Sequence, residues 1–179
     1  MASVTDITRT SDAAWLFDLG EALRAQRKSA KNWRLRLIDG PNMNNLGARD
    51  PRTYGTIRSL SDLHAAVEAL ASGLGVTCTA YTSNHEGDII GFVYDHAAET
   101  DGFLINPAGG NSRGEPVAQA LADSGKPFME LHFANVSASG WPRGTVVTRR
   151  ATGVVMGLRQ YSYFSAVFGL VRHLDSLHG

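Results

Sequence analysis

The sequence predicts an α/β fold in which five short parallel strands form one sheet covered by helices on both faces. Three observations carry that reading. Five apolar runs of strand length alternate with segments of helical period, the order of βαβ units. Each run stops at a turn rich in Gly, Pro, Asn or Ser. Nineteen glycines in 179 residues suit many tight strand–helix turns, and that length suffices for one domain with a substantial core.

Taken in order, residues 1–32 form an N-terminal extension and residues 33–179 the α/β domain. Within the extension, Ser11 caps a helix over 12–26 whose Trp15, Leu16, Leu19 and Leu23 make one apolar stripe. That stripe must be buried, either on its own domain or on a neighbouring subunit. Arg27, Lys28 and Lys31 form the charged end of the helix and a linker. The first strand spans 35–38. After a long polar loop, Ser59 or Ser61 caps a helix, and Leu60, Leu63, Ala66, Val67, Leu70 and Leu74 keep its period up to Gly73 and Gly75. The second strand spans 76–81 and leads through a polar turn at 82–87 into a helix over 88–99. The third strand, 102–105, ends at the turn 106–114. Glu115-Pro116 then opens a helix with proline in its first turn. The fourth strand, 128–131, delivers His132 at its end. A long turn from Asn135 to Arg150 precedes a fifth strand at 152–158, and a helix over 161–177 closes the chain.

Composition limits the function. Seventeen basic and seventeen acidic residues leave no formal net charge, so nothing global favours nucleic acid or an anionic membrane as partner. No apolar run reaches the length of a membrane span, and residues 1–6 lack the pattern of a signal peptide. The single cysteine, Cys78, can form no intrachain disulfide, which points to a reducing cytoplasm. With no partner base beside it, Cys78 reads as a packed strand residue. No metal is expected, because no set of His, Cys and carboxylates has ligand spacing. No cofactor is expected either: a flavin phosphate would need amides and hydroxyls after the first strand, and the loop there offers Asn, Arg and Tyr.

Right-handed crossovers gather the polar turns at the carboxyl ends of the strands. Asn42, Arg49, Tyr54, Ser83, Asn106, His132 and Arg143 are thereby expected to share one crevice. The loop after the first strand is the richest, with three asparagines, two arginines and Tyr54 between Asp39 and Gly55. A guanidinium close to a phenol favours the phenolate, which can serve as a base. A merely solvated loop would leave Arg49 and Tyr54 unexplained.

Five spaced blocks then stand in a recognisable order: G-P-N-x-N-x-L-G-x-R-x-P-x-x-Y-G at 40–55, S-N-H-E-G at 83–87, I-N-P at 105–107, E-L-H-x-x-N-V at 130–136 and A-T-G-V-V-x-G-L at 151–158. In these blocks the chain resembles the type II 3-dehydroquinate dehydratases of the shikimate pathway, from about Leu35 to Leu174. The resemblance implies a flavodoxin-like three-layer sandwich and an anti elimination of water through an enolate. It also implies a homo-oligomer built from trimers, up to a dodecamer, acting on a small cyclic carboxylic acid. By the same resemblance Tyr54 is the base, Arg49 promotes its phenolate, and Asn42 holds the water that steadies the enolate oxygen. His132 is the acid for the departing hydroxyl, oriented by Glu130 two residues back on the same strand face. Asn106 bonds near that hydroxyl, the backbone amides of Phe133 and Ala134 take the substrate carboxylate, Gly109 lines the pocket, and Arg143 closes over the ring.

The departures from the family pattern cluster on the substrate side. Ser112 stands where the family has a histidine that reads a ring hydroxyl, and Gln119 where an aspartate reaches a neighbouring subunit's site. Ala134 replaces a serine, Ser139 an arginine, Asn45 a leucine, and Asp39 the asparagine before Gly40. Rewritten readers of distal hydroxyls imply either 3-dehydroquinate or a ring-modified relative, such as an amino-substituted one, as substrate. The other class is a paralogue that kept the fold and lost turnover. Elsewhere, Glu86 reads as a helix-start carboxylate, His85 as a turn residue, and His64, His96, His173 and His178 as ordinary surface residues.

Overall fold

The computed structural model describes residues 8–108, 114–138 and 145–178. Its strands are β1 (Arg34–Asp39), β2 (Thr77–Thr82), β3 (Gly102–Asn106), β4 (Phe128–His132) and β5 (Gly153–Met156). They lie in the order β2-β1-β3-β4-β5 with every pair parallel, the flavodoxin-like order. The helices are α1 (Thr8–Arg24), α2 (Pro51–Tyr54), α3 (Leu60–Gly73), α4 (Glu86–His96), α5 (Glu115–Asp123) and α6 (Tyr161–His178). Side chains alternate through the sheet. Leu35, Leu37 and Leu104 enter the core shared with α1, α3 and α6, whereas Ile38, Phe103 and Ile105 enter the core shared with α4 and α5.

Besides β2, which gains Thr82, three strands run one residue past their apolar pattern, and the residues these three add are Asp39, Asn106 and His132. Hydropathy stops a strand at its first polar residue, but the ladder continues for as long as the backbone pairs. Asp39 pairs with Thr82 on one side and Asn106 on the other. All three added side chains are buried, at 0 %, 3 % and 3 % exposure, so the sheet edge carries polar groups that need partners. By contrast β5 is shorter than its apolar run. Gly157 (φ 88°) and Arg159 (φ 55°) turn the backbone out of the extended region just after it.

Of the two candidate caps for α3, Ser59 is the one used, its Oγ accepting the Asp62 N–H at 3.0 Å. The α4 helix starts at Glu86, two residues earlier than expected. Ahead of it Ser83 Oγ accepts the His85 N–H (3.0 Å) and donates to Asp88 Oδ2 (2.8 Å). The same helix ends at His96 and tightens into a 3₁₀ turn over Ala97–Glu99.

The α1 helix starts at Thr8, earlier than the sequence suggests, and docks on α3. Leu16 is buried there and Leu19 and Leu23 pack against the same core. Trp15, expected in the buried stripe, is 53 % exposed. The reason is a close helix crossing through glycines. A Cβ on Gly20 would meet the Leu70 carbonyl oxygen at 2.6 Å, and one on Gly73 would meet that of Phe17 at 2.2 Å. Glycine therefore faces α3, and the indole stays outside.

Arg27, expected as linker charge, is 3 % exposed at its side chain and pairs with Asp175 on α6, itself 1 % exposed. Its guanidinium donates to both Asp175 oxygens (3.1 and 2.9 Å) and to the Leu74 carbonyl (3.0 Å). The Trp33 indole N–H donates to the same carboxylate at 2.7 Å. Burial raises the Asp175 carboxyl, but the hydrogen bonds from Arg27 and then Trp33 outweigh it and hold the group below its usual range.

Candidate active site

A cleft of about 460 Å³ opens at the carboxyl ends of β3 and β4 and under the loop after β1, lined by Arg49, Tyr54, Asn106, His132, Phe133 and Ala134 among others. Local sequence explains how Tyr54 reaches it. Asp50 accepts the Arg52 N–H at 2.9 Å as an N-cap, Pro51 opens the single turn of α2, and Gly55 (φ 82°) ends it. Tyr54 is thus the last residue of a capped turn aimed at the sheet edge. Its ring packs against Phe133 with centroids 5.3 Å apart, and the Arg49 guanidinium carbon lies 3.8 Å from the Tyr54 ring centroid. The two residues meet face-on, through the ring.

Across the cleft, a ring nitrogen of His132, Nε2, lies 2.6 Å from Glu130 Oε1. Glu130 is fully buried. Thr145 Oγ1 donates to its Oε1, and Thr148 Oγ1 to its Oε2 at 2.5 Å. Burial pushes this carboxyl up, but the hydrogen bonds from His132, Thr145 and Thr148 more than offset that and leave it below the usual carboxylate range. Glu130 is therefore an acceptor-only anion that fixes the imidazole ring.

Asn106 lines the cleft with its amide turned inward. Its Nδ2 donates to Tyr163 Oη (2.6 Å) and Asp39 Oδ1 (3.2 Å), and its Oδ1 accepts the Ala108 N–H (3.1 Å). Asp39 also accepts from the Tyr163 hydroxyl (2.5 Å) and lies 2.8 Å from His64 Nε2. His64 is thus not the ordinary surface residue its helix position suggested, since it is the far partner of a buried carboxylate.

The expected crevice is assembled only in part. Arg49, Tyr54, Asn106, His132, Phe133 and Ala134 share it, with Glu130 directly behind. Asn42 does not line it: exposed, in a left-handed conformation (φ 73°), it gives its backbone N–H to Asn84 Oδ1 at 2.7 Å. Ser83 is likewise absent, being engaged with Asp88 and His85. Gln119 sits exposed on α5 and donates to Asp123 Oδ1 at 2.6 Å, away from this cleft. Gly109, Ser112, Ser139 and Arg143 lie outside the described residues. Cys78 is a buried strand residue whose thiol burial pushes up to about 12, which leaves it unreactive at neutral pH. Thr145, Thr148 and Tyr163 were not anticipated. The one usable signal was Glu130 itself, since a carboxylate in a buried strand requires donors.

Residues 33–171 match the family model described as dehydroquinase class II. The chain belongs to the type II dehydroquinase family. Among curated relatives, the catabolic 3-dehydroquinase 1 of Neosartorya fischeri is 39 % identical over 132 residues, covering 73 % of this chain and 87 % of that one. The 3-dehydroquinate dehydratase of Prochlorococcus marinus is 33 % identical over 78 % of this chain and 95 % of its own. The crystal structure of the type II dehydroquinase from Propionibacterium acnes superposes with a TM-score of 0.72 at 28 % identity, covering 79 % of this chain and 99 % of that one. As a dehydroquinase-type protein, the chain is a hydro-lyase, an enzyme that breaks a carbon–oxygen bond to release water. The helix α1 lies outside the matched residues.

Proposed function

We propose that this dehydroquinase removes water from 3-dehydroquinate, with Tyr54 as base and His132 as acid. The carrying observation is that a phenol under a cation and an imidazole backed by a carboxylate line one cleft. Tyr54 takes the proton from the carbon beside the ketone, and Arg49, whose guanidinium carbon lies 3.8 Å from the ring centroid, offsets the negative charge of the phenolate ring. The electron pair passes through the enolate to form the carbon–carbon double bond as the carbon–oxygen bond breaks. His132 gives a proton to the departing hydroxyl, which leaves as water. Glu130 holds Nε2, so Nδ1 is the nitrogen that carries the transferable proton.

The remaining roles belong to the same proposal. The Phe133 and Ala134 amides receive the substrate carboxylate, and Gly109, Ser112 and Arg143 complete the ring's surroundings. For Asn42 to hold a water over the enolate oxygen, its side chain must turn from the rim into the cleft. Gln119, projecting from α5 away from its own cleft, suits contact with a neighbouring subunit's site in a trimer-based assembly. The protein acts in the cytoplasm, and among the described residues no helix is long and apolar enough to cross a membrane. Relatives named for 3-dehydroquinate favour that substrate over a ring-modified one.

The test is ultraviolet detection of enone formation when purified protein meets 3-dehydroquinate. Tyr54→Phe should lose about 100-fold or more of kcat, the usual worth of a general base, while still binding the substrate. A variant that keeps half of kcat would remove Tyr54 from the role.

A further inference from the structure

The polar group behind the cleft extends the reading beyond base and acid. Asp39 is fully buried at the end of β1, and both of its oxygens have polar partners. Oδ2 faces His64 Nε2, while Oδ1 accepts from the Tyr163 hydroxyl and from Asn106 Nδ2. With the Tyr163 hydroxyl and the Asn106 amide both donating to it, Oδ1 of Asp39 is an acceptor toward Asn106. Burial first, then the charge of Asp39, raises the Tyr163 hydroxyl well above the ordinary phenol range, so it remains a donor toward Asp39. Asn106, the neighbour in register on β3, is thereby left one orientation. Both Nδ2 hydrogens point inward, to Asp39 and Tyr163, and Oδ1 faces the Ala108 N–H. Opposite another amide, Asn106 could present either end of its side chain; opposite a carboxylate it cannot.

We infer that Asp39, where the family pattern has an asparagine, is a positioning residue that leaves Asn106 only its acceptor to offer the ligand's departing hydroxyl. The second lone pair of Asn106 Oδ1 takes the hydroxyl's hydrogen. The hydroxyl's own lone pairs are then directed away from Asn106, toward the proton of His132. This step rests on the hydro-lyase reading. His64 occupies the far oxygen of Asp39 and keeps it from competing solvent.

Two measurements test it. In the unliganded protein, the Asn106 side-chain NH₂, assigned by its loss in Asn106→Ala, should exchange with water at least about tenfold more slowly than that of the exposed Asn45. Exchange as fast as Asn45 overturns the proposal whether or not the protein turns over 3-dehydroquinate, and needs no folded Asp39 variant. The second measurement uses a Tyr54→Phe background, where turnover is blocked. The Kd of 3-dehydroquinate should be about tenfold lower than that of its analogue lacking the departing hydroxyl, and Asp39→Asn should narrow that ratio to about twofold. A lost structural support would weaken both ligands alike, so an unchanged ratio in Asp39→Asn overturns the proposal. Protected Asn106 protons together with no binding of 3-dehydroquinate would instead count against the substrate, and leave the orientation of Asn106 standing.

Discussion

Glu130 and Asp175 are both carboxylates sunk in this protein, and their partners differ in kind. Asp175 faces Arg27, a cation that never gives up its charge, plus an indole N–H. Glu130 faces His132, a ring that can release its proton, plus two threonine hydroxyls that stay neutral. The first arrangement can only hold. The second can hold one charge while its neighbour changes protonation, because Thr145 and Thr148 keep the carboxylate solvated throughout. Burial of a carboxylate is thus compatible with either architecture or chemistry, and the partner's ability to titrate decides which.

Glu130→Gln attacks the member proposed to serve the chemistry. An amide can still meet the ring but no longer offers a charge, and kcat should fall by about 100-fold or more, with thermal stability changing much less. Steady-state kinetics beside a melting curve checks this, and a Glu130→Gln enzyme of near wild-type kcat would erase the contrast. Arg27→Ala should do the reverse. Removing one partner of a buried ion pair costs about 3–5 kcal/mol, so the melting temperature should drop by many degrees while the kcat of the folded enzyme stays within about twofold. Thr148→Val is subtler. It leaves one Glu130 oxygen short of a donor at a cost of about 1–3 kcal/mol, and His132 should be less well held, lowering kcat by several-fold. Chemical denaturation and kinetics together would separate these two effects.

Acid gives the smallest and most diagnostic signal. Both carboxyls lie below their unfolded values in the folded protein. The stability each contributes is therefore complete above about pH 5, declines as pH falls past the unfolded carboxyl values of about 4, and is lost as pH falls through the lower folded value. Arg27 is the main hydrogen-bond cause of the Asp175 depression, so in Arg27→Ala the decline of melting temperature between pH 5 and pH 3 should be shallower than in wild type. An identical slope would mean that Asp175 gains nothing from the pair.

Much of the fold was legible because it depends on near neighbours in sequence. Helical period, Pro and Gly positions and the run lengths located five strands and their helices within a few residues, and the spaced blocks identified the family. Arg49, Tyr54, Asn106 and His132 could be read as one site because topology alone gathers strand ends. What stayed hidden was pairwise and distant. Nothing local ties Thr145 and Thr148 to Glu130, or His64 to Asp39; each pairing exists only once separate elements pack. Arg27 looked like linker charge because its partner lies 148 residues away. Trp15 looked buried because hydropathy counts apolar area and overlooks that two glycines permit a closer approach than any ring. Asn42 and Ser83 were placed in the crevice by topology and Gln119 by resemblance, and in this single chain none of the three lines the cleft.

The Arg27–Asp175 clamp also bears on how the chain comes off the ribosome. Segments emerge from the N-terminus first, so α1 and α3 are both complete while most of the sheet is still unmade. Arg27 is then committed to a site whose carboxylate has yet to be synthesised, since Asp175 lies 148 residues further along the chain. Until α6 arrives, the guanidinium must keep its water, and the N-terminal region stays open to reversal. A product released short of α6 would carry an unanswered cation at the junction of α1 and α3. The same contact that locks the finished molecule would thus mark an unfinished one for unfolding.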